Sequence, residues 1–149
     1  MKPQETIDYH IKSSWLSIAN LYNQLAQKYK LTQATGLVLL NIDIKEGSPA
    51  TKIATAMGLK NTSLSRVLKK MEEDQLIYRR KDEEDKRSVK VFLTEKGKEK
   101  RILARKVVIE FNNFLTENIN VKNLDCFFEV MKQISDLTES YKSIKSVSK

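Results

Sequence analysis

Between Ile7 and Tyr29, apolar side chains recur at Ile7, Ile11, Trp15, Ile18, Tyr22, Leu25 and Tyr29, in steps of three or four residues. That spacing predicts one long amphipathic helix. Thr32 can cap a second helix, whose body from Leu37 to Leu40 with Ile42 and Ile44 is apolar on nearly every side. It reads as a buried central helix ended by Lys45-Glu46-Gly47. Ser48-Pro49 then looks like a helix start, a hydroxyl N-cap followed by proline at the first helical position. Ala50, Ile53, Ala54 and Met57 keep the helical period, and Gly58 ends it. Asn61 can cap a further helix with Leu64, Val67, Leu68 and Met71 on one side. Two short helices around a turn that opens on glycine form the pattern of a helix-turn-helix.

The period then switches from helical to alternating. Leu76-Ile77-Tyr78, continuing into Arg79-Arg80, and the run from Val89 to Leu93 predict two strands. The polar stretch KDEEDKRS between them, residues 81–88, suits the exposed tip of a hairpin. Thr94 can cap a helix running through Leu103, Val107, Phe111 and Phe114, and a last helix presents Leu124, Phe127, Phe128, Met131, Ile134 and Leu137. The tail from Lys142 onward is expected to fray. The fold predicted is mainly α, six helices, with one small β-hairpin.

Length and composition narrow the function. At 149 residues the chain is a single domain's length and can bury a core without a disulfide or metal staple. Its 40% apolar and 31% charged residues, with four Gly and two Pro, exclude collagen-like and wholly disordered classes. No apolar run reaches the ~20 residues of a bilayer span. The opening MKPQETIDYHIKSS lacks the apolar segment of a secretory signal, and one cysteine, Cys126, suits a reducing compartment. A cytoplasmic protein without membrane association is expected. A lone histidine, His10, and the absence of a phosphate loop, a nucleotide-binding glycine motif or a metal-ligand cluster leave no basis for an enzyme, a cofactor or a metal site.

The net charge of +8 favours an anionic partner. Residues 60–101 hold 14 basic against nine acidic side chains, so most of the surplus coincides with the helix-turn-helix and hairpin. On the second of the two short helices, Asn61, Thr62, Ser63, Ser65, Arg66, Lys69 and Lys70 lie away from the apolar stripe. Amide, hydroxyl and guanidinium groups near a helix N-terminus are the groups that bond base edges and phosphates. Along the hairpin, Arg79 on one arm and Lys86, Arg87 and Ser88 on the return are further DNA-contact candidates, with Asp85 placed to brace Arg87. Two functional classes remain: a sequence-specific DNA-binding regulator, or a basic protein-interaction or membrane-surface module that does not read DNA. Clustering of the bases on these two elements, rather than on a membrane-type amphipathic face, favours the first.

Residues 50–101 resemble the MarR family of winged-helix regulators. The most specific part is Asp85-x-Arg87 followed by Val91-x-Leu93-Thr94-x-x-Gly97; Ile53-Ala54, Thr62-Ser63-Leu64-Ser65-Arg66 and Leu76-Ile77 fall at the family's spacing. The resemblance implies a winged helix-turn-helix flanked by N- and C-terminal dimerisation helices. Within a single domain spanning 1–149, about 32–94 would be the DNA-binding region and about 4–30 and 95–141 the dimerisation helices. It implies a homodimeric repressor on a pseudo-palindromic operator with half-sites about one helical turn (~34 Å) apart. Arg87 would enter a minor groove, and a small-molecule effector would release the DNA. The terminal stripes Ile7–Ile18 and Phe127–Leu137 ask independently for a second copy. Trp15 and Tyr22, on one helical face, are candidate walls of an effector pocket.

Four other positions carry expectations. Many family members have glycine where this chain has Gln75, so a positive φ there would cost on the order of 1 kcal/mol. Gly97, inside the first turn of a helix, marks a close backbone approach. Cys126, with no basic neighbour closer than Lys122, reads as a small packed hydrophobe rather than a redox sensor. His10 reads as interfacial or solvent-facing.

Overall fold

The computed structural model describes residues 2–83 and 88–147. After a short 3-10 turn at Pro3–Glu5 come α1 (Ile7–Gln27), α2 (Gln33–Leu40), β1 (Ser48–Pro49), α3 (Ala50–Met57), α4 (Asn61–Glu73), β2 (Ile77–Lys81), β3 (Val89–Leu93), α5 (Glu95–Asn118) and α6 (Val121–Val147). One compact unit extends to Val108 and a second begins at Ile109.

The first unit is built around the predicted apolar set. Val38 and Leu39 of α2, Ile42, Ile53 and Ala54 of α3, Leu64, Leu68 and Met71 of α4, and Leu76, Ile77, Val91 and Leu93 at the root of the hairpin are buried together. The sheet is antiparallel, ordered β1-β3-β2, with Ile77 opposite Leu93 and Lys81 opposite Val89. Only Ile77 of β2 is buried, so the β2–β3 ribbon leaves the core almost at once.

Three helices end in the same way. A left-handed residue follows the last turn at Lys30 (φ 56°), Gly58 (φ 62°) and Gln75 (φ 59°). The next amide reaches back to a carbonyl in each helix: Leu31 to Ala26, Leu59 to Ala54 and Leu76 to Met71. These are Schellman closures, which satisfy carbonyls that a helix end would otherwise leave open. Gln75 thus occupies the strained position expected of it. Gln75→Gly removes a Cβ penalty of about 1 kcal/mol, partly offset by glycine's greater unfolded-state entropy. A modest rise in melting temperature is expected, and a fall would contradict the assignment of strain.

Several local expectations are corrected. Ser48-Pro49 is not the start of a helix: it forms β1, pairing with Val91 and Lys90, and Ser48 Oγ accepts the Asp43 N–H at 3.0 Å. Proline is tolerated there because β1 is an edge strand. The buried second helix stops at Leu40, leaving Ile42 buried but Ile44 exposed. Asn41 Nδ2 donates back to the Leu37 carbonyl, and Asp43 accepts the amides of Lys45 and Glu46, winding the chain into a turn. Those two amides hold the Asp43 carboxyl below its ordinary pKa. Asn61 is the first residue of α4 rather than its cap; Lys60 holds that position and makes no side-chain cap bond. Thr32 and Thr94 do cap, accepting the amides of Thr35 and Gly97.

The second unit comprises the end of α5 and α6. The tail does not fray at Lys142, because Tyr141 and Ile144 continue the period of Leu137 and the helix reaches Val147. Phe128, Leu137 and Ile144 are each more than 60% exposed. Cys126 is exposed rather than packed.

Candidate nucleic-acid interface

The site is built on α4. Burial of Leu64, Leu68 and Met71 turns Asn61, Thr62, Ser63, Ser65, Arg66, Lys69 and Lys70 to solvent. Among the described residues, none of the first six makes a side-chain hydrogen bond or ion pair. The uncapped first turn leaves backbone amides at the positive end of the helix, the arrangement that suits a phosphate. The structure therefore brings these groups onto one accessible face as donors without internal partners. Lys70 differs: it bonds Asp74 at 2.9 Å, which raises its pKa above the ordinary lysine value.

Arg79 is also committed. Its Nε and Nη2 both donate to Glu72 Oε2, at 3.1 and 2.5 Å. The contact ties the end of α4 to the root of β2. Sequence spacing did not reveal Glu72 as its partner, because the two lie seven residues apart across a helix-to-strand turn. The guanidinium bond pulls the Glu72 carboxyl below its ordinary value. A depressed folded-state pKa means that this stability is present above the unfolded value and lost as pH falls through the folded one. Both side chains are about one-third exposed, so screening limits the contribution to roughly 0.2–1 kcal/mol. Wild type should exceed Glu72→Gln in stability by that margin at neutral pH, and the gap should close in acid; a gap independent of pH would contradict the ion pair's role.

Not all the basic surplus faces outward. From α5, Lys96 Nζ donates to the Asp74 carbonyl, Lys100 Nζ to that of Tyr29 (both 2.7 Å) and Arg101 Nε to that of Leu39 at 3.1 Å. Each cation thus neutralises the C-terminal end of a different helix. Lys98 is paired with Glu95. The bases of this region without a hydrogen-bond or ion-pair partner among the described residues are Lys60, Arg66, Lys69, Arg80, Lys81 and Lys90, all on α4, its cap or the ribbon. Ser88 lies at the ribbon's end, its carbonyl accepting the Asp82 amide at 3.0 Å. Lys86, Arg87 and the brace Asp85 fall outside the described residues.

In the first unit, α1, α2 and α5 border a small apolar cleft, open to solvent, lined by Tyr22, Tyr29, Leu37, Leu40, Ala104 and Val107 among others. Of the two residues proposed as pocket walls, Tyr22 lines it, whereas Trp15 is 48% exposed and not part of the lining. Among the described residues, no helix is long and apolar enough to cross a membrane, and no group of three or more His, Cys, Asp or Glu side chains is placed to hold a metal.

Comparison with known proteins agrees with this geometry. The MarR family sequence profile matches residues 31–89. The HTH-type transcriptional regulator SarZ of Staphylococcus aureus is 33% identical over 98 residues, 65% of this chain and 66% of that protein, just under two thirds of its length. The transcriptional repressor CouR bound to a 23-mer DNA duplex superposes with a TM-score of 0.75 at 28% identity, over 89% of this chain and 94% of CouR. CouR from Rhodococcus jostii bound to p-coumaroyl-CoA gives a TM-score of 0.76 at 21% identity, over 90% of this chain and 94% of that one, a likeness of fold.

Proposed function

The chain belongs to the MarR family of winged helix-turn-helix regulators, and on that premise we propose that it is a cytoplasmic homodimer that binds pseudo-palindromic duplex DNA and represses transcription until a small molecule releases it. The observation that carries this reading is the outer face of α4, where amide, hydroxyl, guanidinium and ammonium groups stand exposed and without internal partners. Such groups find partners on base edges and phosphates. Residues of about 32–94 form the DNA-binding region in this reading, with about 4–30 and 95–141 as dimerisation helices. The wing contributes Lys86, Arg87 and Ser88, with Asp85 as brace, by likeness to the family.

Dimerisation is supported by apolar surface that a lone chain leaves wet. Among the residues whose burial is described, none of α1 or α6 is buried, and Ile7, Trp15, Phe127 and Leu137 are each at least 48% exposed. The apolar lining of the cleft beside Tyr22 suits an aromatic or aliphatic part of an effector.

Sedimentation of the purified protein and titration of its selected duplex test the reading together. A dimer at micromolar concentration, binding in the nanomolar range with steep salt dependence, is expected. A stable monomer, or affinity flat with salt, would contradict it.

A further inference from the structure

The ribbon carries a second cationic feature. Tyr78 and Phe92, opposite one another in β2 and β3, stack nearly parallel, 5.3 Å between centroids at 10°. The next pair outward on the same face is Arg80 opposite Lys90. Arg80 lies 5.0 Å from the Tyr78 ring and 5.9 Å from that of Phe92, and Lys90 Nζ is 5.9 Å from the Phe92 ring. The platform is fixed from beneath: Gly47 is buried with φ +66°, and a Cβ there would come within 2.6 Å of the Phe92 ring.

Two like charges directly opposite across a β-ladder repel, and neither has an acidic partner among the described residues. The aromatic faces orient the cations without neutralising them. An anion lying between Arg80 and Lys90 would relieve the repulsion and take bonds from both. The rings contact each other and the guanidinium, which takes up surface on which a base would stack. The occupant with the matching charge and no need of a ring face is a phosphate of duplex DNA.

We propose that Arg80 and Lys90 clamp one DNA-backbone phosphate on the outer face of the β2–β3 ribbon, with Tyr78 and Phe92 as positioning residues. This rests on the DNA-binding reading and adds to it a contact that carries no sequence information.

The test is a salt titration of wild type, Arg80→Ala, Lys90→Ala, Arg80→Lys and Tyr78→Leu on the selected duplex and on a mixed-sequence duplex. Because both cations serve one phosphate, each alanine variant should lower the slope of log Kd against log salt, and the two combined by about one per protomer, equally on both duplexes. Arg80→Lys should keep the wild-type slope. Tyr78→Leu should keep it too while weakening binding roughly two- to fivefold, the loss of a ring face beneath an exposed cation. Unchanged slopes in both alanine variants, with wild type still binding duplex, would overturn the clamp and leave the function standing. Wild-type affinity for Tyr78→Leu would overturn the positioning role. A wild type that binds no duplex would overturn both function and clamp.

Discussion

Gly97→Ala is expected to cost about 3 kcal/mol or more, lowering the melting temperature by about 10 °C. Alanine in a helix is ordinarily favoured over glycine by about 1 kcal/mol, so the sign runs against intrinsic propensity. The reason is contact. A Cβ at Gly97 would lie 1.9 Å from the Leu76 carbonyl oxygen and 3.0 Å from its carbon. Backbone cannot swing aside as a side-chain tip can, and here it is held on every side. The Leu76 carbonyl accepts the Thr94 amide and hydroxyl, both at 3.1 Å, and the Leu76 amide closes α4 by bonding Met71. The Gly97 amide is itself held by Thr94 Oγ1 at 3.0 Å. The substitution therefore pries α5 from the junction of α4 and β2. Chemical denaturation compares the two proteins directly, and equal stability would contradict the described packing.

Arg66→Ala is expected to erode sequence preference rather than general affinity. Arg66 is exposed on the outer face of α4 without an internal partner, so its guanidinium is available for a bidentate bond to a guanine edge. Such a bond discriminates by roughly 1–3 kcal/mol per half-site. The ratio of affinities for selected and mixed-sequence duplexes should fall steeply, while mixed-sequence binding declines only by a lost charge. Lys69→Ala is the contrast: a point charge contacting phosphate should weaken both duplexes alike. An unchanged ratio in Arg66→Ala would remove that residue from base readout.

The helices and hairpin were legible because each apolar stripe has one destination. Leu64, Leu68 and Met71 can only face the core, and that turns Arg66 and its neighbours outward. Gln75 and Gly97 were legible as exceptions, one lacking the glycine its backbone favours and the other being a glycine where helices seldom have one. Most of the misreadings share a cause: groups whose partners lie on another element of the fold. Ser48 has a plausible capping pattern, but its strand partner Val91 lies on the far side of the hairpin. Arg79 reads as a free cation until Glu72 is folded beside it, and Lys96, Lys100 and Arg101 inflate the apparent DNA-facing charge until their helix-end carbonyls come into view. Cys126 reads as packed because no basic neighbour lies closer than Lys122, yet on α6 it is exposed, as is Phe127 beside it.

The proposed function turns on whether the outer face of α4 reads paired bases. Selection of tight-binding duplexes from a random pool by the purified protein tests it most directly. Enrichment of a two-fold symmetric sequence with half-sites one helical turn apart, ~34 Å, is expected. Recovery of the pool without an enriched sequence would contradict it.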